Sequence, residues 1–312
     1  MKRKKTAPMT KAERIAAAIR GDAVDRVPYS LWSYLPMIDL DPAANAEHTY
    51  DFYKTYDVDI LKTMNNGMYS VEDFGVTVDY SDIERGGVAK IISTPVHTPE
   101  DWLKVKPVSL HEGALAREQD YLKRLLKKTN GEVPVIFTVF SPLTTANKLC
   151  PHMMEHIASG HGEKVKAALT AITETTCALV QRVIELGADG IFFATQLSSY
   201  DLVKEDLYKE YGMPYDVAVL SASQGWCNVL HAHGKHIMFP LLRKYPVQIF
   251  NWHAFESLPG IHEAQVMTGK CIMAGLERMD ITDGHKNEIE HQIYETCLLY
   301  TSDAADDSLR VD

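Results

Sequence analysis

NVLHAHG, Asn228–Gly234, starts apolar and β-rich and closes on two histidines, His231 and His233, one residue apart before a glycine. Side chains at i and i+2 of a strand share a face about 6.6 Å apart along the backbone, so both imidazoles would point the same way at the strand's C-terminal end. Six more runs have similar length and character: RVPYSLW (Arg26–Trp32), VDILKTM (Val58–Met64), VPVIFTVF (Val133–Phe140), GIFFATQ (Gly190–Gln196), VQIFNWH (Val247–His253) and CIMAGLE (Cys271–Glu277). Nearly continuous apolar character predicts strands buried on both faces, as in a parallel sheet.

Helical patterns separate these runs. MTKAERIAAAIRG carries a Thr cap and a closing Gly, EGALAREQDYLKRLLKKTNG ends in Asn-Gly after basic residues, and EKVKAALTAITETTCALVQRVIELG is long and amphipathic. Strand–helix alternation predicts an α/β fold with a parallel sheet. A doubly wound sheet would show a glycine-rich turn after its first strand, and VPYSLWSYLP contains no glycine. Polar and aromatic residues gather instead at strand C-termini: Trp32, Asn65, Gln196, His231, His233, Trp252, His253 and Glu277. That is the face on which a (β/α)8 TIM barrel builds its active site. The expectation is one such domain over residues 9–297, with VTVDYSDIERGGVAKIIST as a hairpin excursion turning at Gly86–Gly87. Seven strands are expected rather than eight. LLYTSDAADDSLRVD, residues 298–312, has no strand-length apolar run and is expected to be a disordered, foreign tail that leaves the last strand missing. Residues 1–8 are expected to be a disordered basic terminus.

Composition excludes several classes. With 312 residues, 46% hydrophobic, there is apolar material for a sizeable core. A net charge of -10, with basic residues scattered beyond Met1–Lys5, carries no nucleic-acid footprint. No apolar run approaches the roughly 18 residues of a membrane span, and no signal-peptide core follows the basic start, so a cytoplasmic location is expected. Five cysteines without a Cys-x-x-Cys pair suit a reduced compartment better than a disulfide framework. GHGEK (Gly160–Lys164) lacks the spacing of a phosphate loop and reads as a helix start.

From Met9 to Cys297 the order of ERIAAAIRGDAVDRVPYSLW, YDVDIL, FGVTVDY, SPLTTANKL, ELGADGIFF, YGMPYD and HAHG resembles the uroporphyrinogen decarboxylase family. The resemblance implies the (β/α)8 fold and one of two chemistries. In the decarboxylase branch a catalytic aspartate lies in an Asp-Ile-Leu sequence, and Asp59-Ile60-Leu61 looks like its counterpart. That branch removes a tetrapyrrole acetate group without a cofactor, in porphyrin and heme biosynthesis. Its arginine-rich signature is absent from SLWSYLPMIDLD, and Lys148 stands where a family tyrosine is expected. Losing bidentate guanidinium–carboxylate contacts, at about 1.5–3 kcal/mol per charge-assisted bond, argues against an octacarboxylate substrate. The methyltransferase branch has a His-x-Cys pair holding zinc, and His231-Ala232-His233-Gly234 occupies the matching place with His for Cys. The third ligand would fall in the missing segment.

The leading expectation is therefore metal-assisted methyl transfer from a corrinoid or similar donor, with His231 and His233 as Zn2+ ligands and Asp59 as the catalytic carboxylate. A carboxylate in so apolar a run needs a partner or a role, because burying it alone costs several kcal/mol. Trp32, Asn65, Tyr69, Gln196, His253 and Glu277 are the expected substrate-binding residues. Plainer readings stand beside these: hydrogen-bonded histidines in a polar mouth, a stacked His253, Glu277 paired with a neighbour, and aromatic residues as core. Decarboxylation through Asp59 and a non-catalytic tetrapyrrole- or corrinoid-binding protein are the alternatives. The expected partner is a small molecule or a corrinoid protein, with no nucleic acid and no membrane; a homodimer is left open.

Overall fold

Six of the seven expected strand runs pair in one parallel sheet. The computed structural model describes residues 7–83, 89–274 and 276–301. In chain order its strands are β1 (Leu61–Lys62), β2 (Thr77–Asp79), β3 (Lys90–Ser93), β4 (Val135–Phe140), β5 (Gly190–Thr195), β6 (Val229–Ala232), β7 (Ile249–Trp252) and β8 (Cys271–Ala274). The sheet runs β1-β4-β5-β6-β7-β8 and curls into part of a TIM barrel. β2 and β3 form the expected antiparallel hairpin beside it, and the Gly86–Gly87 turn lies outside the described residues.

Alternation along each strand sorts the side chains into two layers. Ile60, Ile136, Phe192, Ala194, Val229 and Ile249 form an inner cluster that Cys271 and Met273 join. Leu61, Val135, Phe137, Val139, Ile191, Phe193, Leu230, Phe250 and Trp252 face outward into the larger core under the helices. Each such buried aliphatic or Phe side chain contributes about 1.5–3 kcal/mol. Val229, Ile249 and Cys271 of this cluster are the first residues of their strands, and Ile15 and Ile19 of the helix Lys11–Arg20 pack with it. The helix starts at a capping box between Thr10 and Glu13 and stops at Gly21, whose φ of 74° is easy only for glycine.

Arg26–Trp32 is the run that does not become a strand. Pro28 has no N–H to give a ladder. The N–H of Asp59 donates to the Tyr29 carbonyl at 2.9 Å, but the Tyr29 N–H donates to the Asp59 carboxylate at 3.0 Å rather than to backbone. A side chain thus replaces half of the pairing.

Two ends also differ from expectation. The last strand stops at Ala274, and Glu277 instead caps the helix Arg278–Asp283 by accepting the Asp280 N–H. The final helix, Lys286–Thr301, continues past Cys297; residues 1–6 and 302–312, including most of the expected tail, lie outside the described residues. No described helix is long and apolar enough to cross a membrane.

Candidate functional site

Three histidines meet where β6 and β7 end. His231 is on β6, His233 just beyond it, and His253 just beyond β7. Their ring centroids form a triangle of 5.9 Å (His231–His233), 5.6 Å (His231–His253) and 5.3 Å (His233–His253). His231 and Asn251 are register partners on adjacent strands, and His231 Nδ1 lies 2.6 Å from Asn251 Oδ1. The amide nitrogen of Asn251 donates to the Met273 carbonyl at 2.8 Å. His231 also stacks on Phe192 at 5.1 Å. Burial, helped by His253, His233 and Lys62 nearby, pushes the His231 pKa down to about 3 against the opposing bond to Asn251. It is therefore neutral at physiological pH, the state in which imidazole ligates metals.

His231, neutral and with its ring orientation fixed from behind by Asn251, has the chemistry of a metal-ligating histidine. Among the described residues, no group of three or more His, Cys, Asp or Glu side chains is arranged to hold a metal ion as it stands.

Across the interior, β1 contributes Lys62. Its side chain is buried, and its Nζ lies 5.1 Å from the Phe192 ring centroid, 5.5 Å from Trp32 and 6.0 Å from Tyr34. Nζ donates to the Thr63 carbonyl at 3.2 Å. Desolvation alone brings the Lys62 pKa down to about 7. Lys148, in the helix Pro142–Leu149 that follows β4, donates to the Gly67 carbonyl at 3.0 Å and lies 4.8 Å over Phe140; burial brings it down to about 8.

The other expected residues divide. Trp32 reaches the group, its ring edge-on to Phe192 at 5.3 Å. Gln196 sits half-buried immediately after β5, its backbone N–H on Thr144 Oγ1. Asn65 is committed within the fold: its amide donates to Glu118 at 2.8 Å and its oxygen accepts from the Thr63 hydroxyl. Tyr69 is core, its hydroxyl on the Thr138 carbonyl at 2.7 Å. Glu277 is a helix cap.

Asp59 is not brought to the histidines. It precedes β1, at the opposite end of the strand from the rim, and is fully buried. Arg14 donates to its Oδ1 at 2.7 Å, Arg26 to Oδ2 at 2.5 Å and to Oδ1 at 2.9 Å, and the Tyr29 N–H to Oδ2 at 3.0 Å. Arg14 also holds Asp25 at 2.6 Å. These donors satisfy the carboxylate and tie the helix Lys11–Arg20 to the start of β1.

Sequence reasoning passed over Lys62, Asn251 and Phe192. Counting by two from Ile60 would have found Lys62, and counting from Ile249 would have found Asn251, since both sit on the inner face near a strand's end.

The uroporphyrinogen decarboxylase (URO-D) family model matches residues 10–301. A methylcobamide:CoM methyltransferase, MtbA, of Methanosarcina acetivorans is 24% identical over 230 residues, 68% of this chain and 66% of that enzyme, so the match spans just under two thirds of the relative. A uroporphyrinogen decarboxylase of Drosophila virilis is 28% identical over 190 residues, 54% of this chain and 46% of that protein. In structure, a methyltransferase from Methanosarcina mazei superposes with a TM-score of 0.72 at 17% identity, covering 85% of this chain and 82% of the other, which shows the shared fold.

Proposed function

Since the chain belongs to the uroporphyrinogen decarboxylase family, we propose that it is a methyltransferase whose active site is the histidine-lined rim, taking a methyl group from a corrinoid or similar donor to a thiol-class acceptor. The observation that carries this reading is the gathering of His231, His233 and His253 at the C-terminal ends of β6 and β7, with His231 held neutral and oriented by Asn251. The methyltransferase relative supports it. His231 and His233 would hold zinc, with the His253 ring centroid 5.3 Å from that of His233. Bound there, the ion supplies a Lewis acid that lowers the pKa of a thiol and keeps it as thiolate.

The chain's own residues supply the rest. Asn251 keeps the His231 proton on Nδ1, so that Nε2 offers its lone pair. Phe192 and Trp32 wall the interior, strengthening each electrostatic contact made there. The decarboxylase alternative needs a carboxylate facing the substrate; Asp59, bound by Arg14 and Arg26 at the other end of β1, lends it no support.

The test is transfer of methyl from methylcobalamin to a small thiol, with metal content measured on the same sample. The expected result is stoichiometric zinc and turnover, both lost in the His231→Ala, His233→Ala double variant. A metal-free protein that still transfers methyl at the full rate would overturn the role given to the histidines.

A further inference from the structure

We infer that Lys62 is the anion anchor of this site, with Lys148 as an auxiliary cation, and that both select a substrate carrying a carboxylate or sulfonate head on an apolar body. The inference rests on reading this rim as the active site.

Placement comes first. Lys62 follows Ile60 by two on the inner face of β1, so its side chain enters the interior that also holds Phe192 and His231. It is only 4% exposed. An ammonium offers three N–H donors, and the Thr63 carbonyl takes one. Among the described residues no carboxylate lies within ion-pairing reach to offset its desolvation.

Magnitudes decide what the surroundings leave undone. Burying an ammonium costs several kcal/mol even after relaxation. Cation–π contacts with Phe192, Trp32 and Tyr34 return about 2 kcal/mol when desolvated. When protonated, Lys62 is thus a positive charge in an aromatic pocket with no carboxylate beside it among the described residues. Tyr34, which borders Lys62, is itself 68% exposed, so the aromatic group around the ammonium reaches the molecular surface. Lys148 repeats the arrangement from the helix after β4, the strand paired with β1. The cations absent from SLWSYLPMIDLD are thus supplied by other elements. The histidines and the lysines come from different parts of the fold, β6 and β7 with the residues just after them against β1 and the helix Pro142–Leu149, leaving the reacting end of a substrate to one group and its charged head to the other.

The experiment reads binding rather than turnover, so it stands apart from the methyl-transfer test. The full chain at pH 6 is titrated calorimetrically with benzoate, benzenesulfonate and neutral benzamide, and its Tm is measured with and without each. At least one anion is expected to bind saturably and raise Tm; whether that is benzoate or benzenesulfonate identifies the head. Benzamide is expected to bind at least about tenfold more weakly. Lys62→Met should lose the anion while raising Tm without it, because an uncompensated buried charge has gone; Lys148→Met should weaken binding less. Lack of saturable binding of either anion, equal binding of benzamide, or a Lys62→Met protein that binds as before would overturn the assignment. So would a lower Tm in ligand-free Lys62→Met, which would mark a purely structural lysine.

Discussion

His231 Nδ1 stands 2.6 Å from Asn251 Oδ1, and this contact decides which nitrogen of the histidine is available for chemistry. Asn251 spends its NH2 group on the Met273 carbonyl, so its oxygen must face the ring and can only accept. Asn251→Leu removes the acceptor and frees the ring to turn. A loss of about 10–100-fold in metal affinity or kcat/KM is expected, the range found when partners behind a ligand are removed. Zinc titration of the variant checks it, with unchanged circular dichroism showing that the fold has survived.

Asp216, in the YGMPYD segment, gives a pH-dependent contribution to stability. Its carboxyl is fully buried; Oδ2 accepts from Tyr208 at 2.7 Å and Tyr245 at 2.8 Å, while Oδ1 has no partner. Desolvation pushes its pKa up to about 7 against those two bonds. The folded value lies above the unfolded one of about 3.9, so the folded state binds the proton more tightly. The contribution is complete below pH of about 4 and is lost as pH rises through about 7. Urea unfolding should therefore show Asp216→Asn gaining on the wild type between those limits by a few kcal/mol, at about 1.4 kcal/mol per unit, and then levelling. Parallel stability curves would refute this.

Removing the Asp59 carboxylate should unfold more than it disables. Asp59→Ala leaves the buried Arg14 and half-exposed Arg26 without a shared partner, and breaking a buried pair costs about 3–5 kcal/mol. The expected outcome is a sharply lower Tm, with anion binding at Lys62 weakened but not abolished in whatever fraction remains folded. A variant that kept wild-type Tm yet lost turnover would instead restore Asp59 to the reaction.

Gly190 opens β5 where the chain before β6 comes close. A Cβ there would lie 2.0 Å from the Cys227 carbonyl oxygen, a backbone atom that no rotamer change can move aside. Gly190→Ala is expected to destabilise by more than about 3 kcal/mol or to abolish soluble expression. Gly131→Ala, at a positive φ of 78° but with nothing within 4 Å, should show only the milder cost of a strained backbone.

What could be read in advance followed from periodicity. Runs such as Val133–Phe140 and Gly190–Gln196 are apolar at consecutive positions because both faces are covered, and they became interior strands of the sheet. The His231–His233 pair was legible because two residues span one strand repeat, whereas its convergence with His253 depends on the curl of the sheet between β6 and β7. The short Asp-Ile-Leu string carries no information about which end of the strand Asp59 occupies. Arg14, 45 positions away, became its partner, a separation that no local pattern encodes. Asn65 and Tyr69 sit close to a strand end in sequence, as a site residue would, but Glu118 and Thr138 claim their polar atoms.

The side-chain-mediated join between Tyr29 and Asp59 extends further than its own neighbourhood. Trp32 and Tyr34, which border the proposed anion anchor, are carried on the segment that this carboxylate secures at the other end of β1. A screen for altered substrate preference should consequently return variants of Arg14, Arg26 and Asp59, which touch no ligand but set how steadily the aromatic cover over Lys62 is held.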